Sequence, residues 1–279
     1  MKKKTNKYIS VFLLLVLLAG ASLLLYPSVS NYWNSFRQSR AVATYAEKVA
    51  EIDDDTYDQL WAEAQEYNRK LVGKTRRYYL TDEEWEEYYN LLNVAGNGII
   101  GYIEIPSVQS AMPIYHGTDK AVLQIAIGHL EWTSLPVGGE NTHSVVSGHR
   151  GLPSARLFTD LDKMVVGDTF IIRVLDEILT YEVDQIRIVL PTELNDLKIE
   201  KNKDYMTLVT CTPYGINSHR LLLRGHRIEN QEAARTIRVT SDAIQIKPIL
   251  IAPILAVPLL LLLLIILLFP KRKEDQAFN

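Results

Sequence analysis

A chain of 279 residues with a formal net charge of −3 and a single cysteine has room for one substantial domain plus extensions, and it cannot hold an internal disulfide. Charge is nearly balanced and no basic block lies outside the flanks of its apolar ends, which leaves no footing for a nucleic-acid partner.

Lys2, Lys3, Lys4 and Lys7 precede an apolar run over residues 8–26, close to the roughly 20 residues that cross a bilayer. A second run, residues 249–269, is rich in leucine and isoleucine and is followed by Lys271, Arg272 and Lys273. Positive flanks favour the cytoplasmic side, so both termini are expected inside and everything between the runs outside. Pro248, Pro253 and Pro258 are compatible with a lipid-embedded helix whose freed carbonyls find other partners. The alternative for the N-terminus is a cleaved signal peptide with Ala19-Gly20-Ala21 as its small-residue site; either reading exports the middle of the chain. The expected organisation is a membrane anchor or signal peptide over 1–30, a helical extension over 31–97, a β-domain over 98–234, a connector over 235–248, a transmembrane helix over 249–270 and a cytoplasmic tail over 271–279.

In the extension, Leu60, Ala64, Tyr67 and Leu71 recur at steps of four, three and four, one face of a helix. Thr81 with Glu84 forms a capping box that opens a further helix presenting Trp85, Tyr88 or Tyr89, and Leu92. These helices are expected to pack on the outside of the domain that follows. Asp53-Asp54-Asp55 lacks the glycine and terminal glutamate of a calcium loop and reads as a solvated loop between helices. Histidines and carboxylates show no zinc-site spacing, and neither a metal nor a cofactor is expected.

At Gly96-Asn97-Gly98 the texture changes to short apolar segments broken by glycine and proline. Strands are predicted over 99–105, 112–115, 144–147, 169–174, 180–189, 206–210 and 221–228, with helical turns around 121–125 and 155–161. Many short strands with turn signals indicate a closed or nearly closed barrel.

The last two strands flank a loop carrying Pro213, Gly215 and Asn217, a hairpin pattern. Cys211 then ends one strand and Arg220 begins the next, which brings a thiol and a permanent cation to one rim of a sheet. A lone cysteine in an exported chain is either a free thiol of functional interest or a small buried hydrophobe. As a nucleophile it needs a partner that favours the thiolate. The six histidines are His116, His129, His143, His149, His219 and His226, and spacing alone does not choose among them. His149 stands where a predicted strand enters a glycine-bearing loop, with His143 as its nearest rival.

The run Thr207-Leu208-Val209-Thr210-Cys211, with Thr212-Pro213-Tyr214-Gly215 and Asn217-Ser218-His219-Arg220, closely resembles the active-site segment of the sortases, in particular the pilin-polymerising class C. Gly101-Tyr102-Ile103-Glu104-Ile105-Pro106, Pro113-Ile114-Tyr115-His116-Gly117, Thr133-Ser134-Leu135-Pro136-Val137-Gly138-Gly139 and Ser147-Gly148-His149-Arg150-Gly151-Leu152-Pro153 are similar to that family in the family's order. The likeness covers residues 98–227, and the two-span layout also looks like class C. It implies a mainly β, eight-stranded sortase barrel with short helices, and a transpeptidase in which Cys211 is the nucleophile, His149 the catalytic histidine and Arg220 the catalytic arginine. It implies as partners pilin subunits bearing an Leu-Pro-x-Thr-Gly-like sorting signal and an acceptor lysine. His116 and His219 fall within family-like motifs and read as structural hydrogen-bonding groups, His129 and His226 as weaker candidates still.

One family feature is missing. Class C sortases commonly carry an N-terminal lid with an aspartate, a proline and an aromatic residue in succession, whereas residues 31–93 contain no proline. The expected cleft is open or covered differently. The competing functional readings are a housekeeping sortase that joins surface proteins to the cell wall, a hydrolytic cysteine peptidase, and a non-catalytic membrane-tethered scaffold in which Cys211 is merely buried.

Overall fold

Short apolar or alternating runs from residue 99 onward build eight strands, several of them buried along most of their length. In the computed structural model, which describes residues 2–74 and 78–230, these are β1 (Ile99–Ile105), β2 (Ser110–His116), β3 (Ile127–His129), β4 (Thr142–Ser147), β5 (Thr169–Val174), β6 (Glu177–Val189), β7 (Asp204–Thr212) and β8 (His219–Ile228). They close into a barrel in the order β1-β2-β3-β4-β7-β8-β6-β5. The β2–β3 and β4–β7 pairs are parallel and the rest antiparallel. Ile103, Ile114, Val146, Ile172, Val183, Met206, Leu208 and Leu223 fill the interior. Closure leaves no sheet edge open to pairing with another chain.

The expected mainly β barrel is present, with one strand more than the sequence indicated. β3 has three residues, too few for alternation to register. The helical turns fall at α4 (Lys120–Leu123) and a 3-10 stretch, Leu157–Lys163.

Three helices precede the barrel: α1 (Lys2–Ala50), α2 (Asp54–Leu71) and α3 (Asp82–Asn90). The expected border at residue 30 falls inside α1, and the compact unit that carries the barrel begins at Tyr32. One stretch within Tyr8–Ala50 is long and apolar enough to cross a membrane. The second apolar run, residues 249–269, lies outside the described residues.

The extension supplies part of the core. Tyr45, Ala64, Tyr67, Leu71, Tyr88 and Leu92 belong to the same buried cluster as the barrel interior. Tyr45 Oη donates to Ile100 O (3.2 Å) and accepts from Leu175 N (2.8 Å). Asn68 brackets Leu135, donating to its carbonyl (3.0 Å) and accepting from its amide (2.7 Å). The Thr81–Glu84 capping box forms in both directions. The aspartate trio is not a loop: Asp53 caps α2, its Oδ1 accepting from Thr56 N at 2.7 Å, while Asp54 and Asp55 occupy the first turn. There carboxylates oppose the positive end of the helix dipole.

Candidate active site

β4 and β7 run parallel, with Ser147 opposite Val209. Beyond that pair the two chains stay together. Gly148 N donates to Val209 O (3.1 Å), Thr210 Oγ1 donates to Gly148 O (2.8 Å), and Arg150 Nη1 donates to Thr212 Oγ1 (3.3 Å). His149 lies between the two bracketing contacts on one chain and Cys211 lies between them on the other. On the far side of β7, Cys211 is the direct cross-strand partner of Arg220 on β8; such pairs have Cβ atoms about 4.5–5.5 Å apart. Three adjacent chain segments therefore carry histidine, cysteine and arginine at one level, with the thiol in the middle.

All three belong to the outer face of the barrel. Val145, Val209 and Leu222 pack together there in a small apolar cluster with Val189 and Leu197, bordered by Leu130, Trp132 and Leu194. Alternation carries His149, Cys211 and Arg220 to the same face, two or more residues nearer the rim. Cys211 is a free, half-buried thiol, and His149 and Arg220 are half-buried as well. Arg220 Nη1 donates to Asn217 O (3.2 Å) and His219 O (3.1 Å), so the turn holds the guanidinium. Among the described residues no carboxylate forms an ion pair with it, and its charge is available to an anion.

Gly148 positions this level. A Cβ there would lie 2.8 Å from both Ile127 Cγ2 and Phe158 Cδ2, so only glycine lets the chain pass and deliver His149. The His149 carbonyl accepts from Phe158 N at 3.2 Å, which fixes the turn that follows.

The rival histidine lies elsewhere. His143 pairs with Tyr205, six residues before Cys211 along β7, or about 20 Å at strand rise. Its ring lies between Lys198 O (2.8 Å) and Thr207 Oγ1 (2.7 Å). His129 is fully buried, 2.9 Å from Tyr88 Oη and 2.8 Å from Ser134 O, and burial lowers its pKa to about 3. His116 is buried too, its ring edge-on to Tyr88, and burial lowers its pKa to about 4. Its ring nitrogens make no hydrogen bond of good geometry among the described residues. The His219 ring lies 2.9 Å from its neighbour's hydroxyl, Ser218 Oγ, and His226 Nδ1 lies 4.0 Å from Asp184.

Sequence reasoning missed the cleft next to this level. A cavity of about 360 Å³ is lined by Arg150, Asp162, Ile186, Ile188 and Tyr214, among others. Arg150 pairs with Asp162 and holds its guanidinium 5.9 Å from the Tyr214 ring centroid. Gly151, at φ +75°, passes so close beneath Tyr214 that a Cβ would lie 2.7 Å from the ring. The signal was present in Arg150 directly following His149, yet Asp162 is joined to it only by folding. Near the outer face, Tyr78 from the α2–α3 connection meets Trp132 edge-on, ring centroids 4.8 Å apart.

The sortase domain profile matches residues 103–228. Sortase C1 of Streptococcus agalactiae is 50% identical, with a TM-score of 0.67, 69% of this chain and 100% of that one being covered. Sortase C of Streptococcus pneumoniae is 46% identical, with a TM-score of 0.62, covering 68% of this chain and 97% of that one. Sortase D of Bacillus subtilis is 28% identical over 131 residues, which are 46% of this chain and 63% of that protein's length. A half-buried thiol level with a histidine and an arginine on a closed eight-stranded barrel, together with these likenesses, gives the identity: the chain belongs to the sortase family of cysteine transpeptidases.

Proposed function

We propose that this protein is a membrane-anchored sortase of the pilin-polymerising kind. It would cleave an Leu-Pro-x-Thr-Gly-like sorting signal through a thioester on Cys211 and transfer the acyl group to a lysine amine of another pilin subunit. The observation that carries the reading is the level at which Cys211 stands between His149 and Arg220. The similarity to the S. pneumoniae sortase C, whose structure is described in terms of pilin substrate specificity, supports the choice of substrate.

In this reading the Cys211 thiolate attacks the threonine carbonyl carbon, and the carbonyl π electrons move onto oxygen. Arg220 faces that oxyanion from the neighbouring strand; one donor in such a position is worth about 3–4 kcal/mol. Collapse breaks the threonine–glycine C–N bond, with His149 giving its proton to the departing amine. An incoming lysine amine then loses a proton to His149, attacks the thioester carbonyl and releases the thiolate. An amide replaces an amide, and the proton returns to its starting place.

We assign the donor signal to the outer face bordered by Val209 and Leu222, and the acceptor to the cleft beside Arg150. The apolar helix within Tyr8–Ala50 and the lysines before it support an anchor with the barrel on the outer side of the cell membrane, and the run at 249–269 supports a second anchor. Incubation with a pilin subunit carrying both signal and lysine tests the reading. Ladders of isopeptide-linked polymer are expected. Free acid alone would make the enzyme a hydrolase, and product found only on a wall-precursor amine would make it the housekeeping kind.

A further inference from the structure

Helix α1 enters the barrel unit at Tyr32 with two unlike faces. On one, Asn34 Nδ2 and Gln38 Nε2 donate to Ile125 O (3.2 and 2.6 Å), and Val42, Tyr45 and Val49 are buried. At 100° per residue, Tyr32, Trp33, Phe36 and Arg40 fall on the opposite side, with Arg37 at its border. There Tyr32 is 52% exposed, Trp33 62% and Phe36 52%; Arg37 and Arg40 are exposed as well. Trp33 and Phe36 touch each other, ring centroids 6.3 Å apart, yet each keeps more than half of its surface exposed.

Three large aromatic side chains on one exposed helical face need an apolar partner, and the position of the stripe along the chain favours one. The stripe follows the last residue of the apolar run, Tyr26, by six to ten positions in sequence, so a bilayer surface is the nearest apolar medium. Tryptophan and tyrosine favour the headgroup level, where an apolar ring and a polar edge are both served. The charge fits too: the first acidic residue of the chain is Glu47, so Arg37 and Arg40 meet anionic headgroups with no carboxylate beside them on α1.

We propose that Tyr32, Trp33, Phe36, Arg37 and Arg40 form a bilayer-docking surface that seats the catalytic unit on the membrane, the rings among the headgroups and the guanidinium groups on lipid phosphates. This goes beyond the anchoring helix, since an anchor alone would leave the unit free to swing. Docking also orients the site. Further along the same helix, Tyr45 bonds β1 and the β5–β6 turn. β7 lies four strands from β1 in the eight-strand ring, so the strand carrying Cys211 is across the barrel from the strand that Tyr45 bonds.

The test uses the full-length protein in vesicles of phosphatidylcholine and phosphatidylglycerol, with and without bromine on the acyl chains near the headgroup. Bromolipid is expected to quench wild-type tryptophan emission more than that of W33F, because Trp33 is the exposed one of four tryptophans and the other three are half-buried; Trp33 should resist aqueous acrylamide. The pair R37E and R40E should diminish that extra quenching in vesicles containing phosphatidylglycerol. Equal bromolipid quenching of wild type and W33F, with the Trp33 emission open to acrylamide, overturns the proposal. Protein that floats with vesicles while Trp33 stays in water refutes docking alone; protein that does not float refutes the anchor as well.

Discussion

Two regions of this molecule are built from similar residue types to opposite ends. Where the helical extension meets the barrel, Tyr45, Tyr67 and Tyr88 are buried and their hydroxyl groups are satisfied, and His116 and His129 are stripped of water and held neutral. At the β7–β8 rim, His149, Cys211 and Arg220 are only half-buried and have bonding capacity to spare. Burial uses polar groups for stability at the first region, and exposure leaves them free for chemistry at the second. Substitutions should therefore separate cleanly, harming stability at one and turnover at the other.

The largest effect is expected for Cys211→Ala, which should abolish transfer while leaving the thermal midpoint unchanged; polymer formed by that variant would break the contrast at its centre. His149→Ala should act in the same way. His143→Ala, by contrast, should lose stability by about 1–3 kcal/mol because it strands buried partners, and loss of activity in stable His143→Ala with His149→Ala still active would exchange their roles. Arg220→Lys should slow turnover by roughly 100-fold or more, since an ammonium cannot reproduce the planar fork, again at constant midpoint.

On the buried side, Tyr88→Phe removes the acceptor of Gly117 N (3.0 Å) and the partner of His129. Its expected cost is about 1–3 kcal/mol in denaturant unfolding, with turnover per folded molecule unaltered. Deleting residues 1–98 should unfold the barrel rather than activate it, for the same reason. The pH dependence sharpens this further. His116 and His129 have folded pKa values lowered by burial to about 4 and about 3, so below the ordinary value near 6.5 the unfolded chain binds their protons first. Stability is full above pH 6.5 and declines as pH falls toward 4 and then 3; His116→Gln should flatten that slope. The smallest effect is expected at the cleft, where Ile188→Glu should slow transfer to an acceptor while leaving formation of the acyl-enzyme intact.

The contrast also explains what could be read from the sequence. Seven of the eight strands were legible because each is an apolar or alternating run of at least four residues bounded by turn signals, and the Thr81–Glu84 cap because its logic is local. β3 carries too short a pattern to be seen. The aspartate trio was misread because a capped helix start and a polar loop share a composition, and only the Asp53–Thr56 bond tells them apart. At the site, Cys211 and Arg220 were paired by a hairpin, a local event. Bringing His149 beside Cys211, 62 positions apart in sequence, required the parallel β4–β7 pairing, which periodicity does not encode and which only family resemblance could supply. The Arg150–Asp162 cleft was illegible because its wall is assembled from five separate segments.

The most direct measurement is the intact mass of the enzyme after mixing with a peptide bearing Leu-Pro-x-Thr-Gly, followed by mapping of the modified fragment. An adduct equal to the peptide up to its threonine, on Cys211 and absent from Cys211→Ala, is the expected result. No adduct on folded enzyme, or an adduct on any other side chain, would contradict the placement of the reaction between His149 and Arg220.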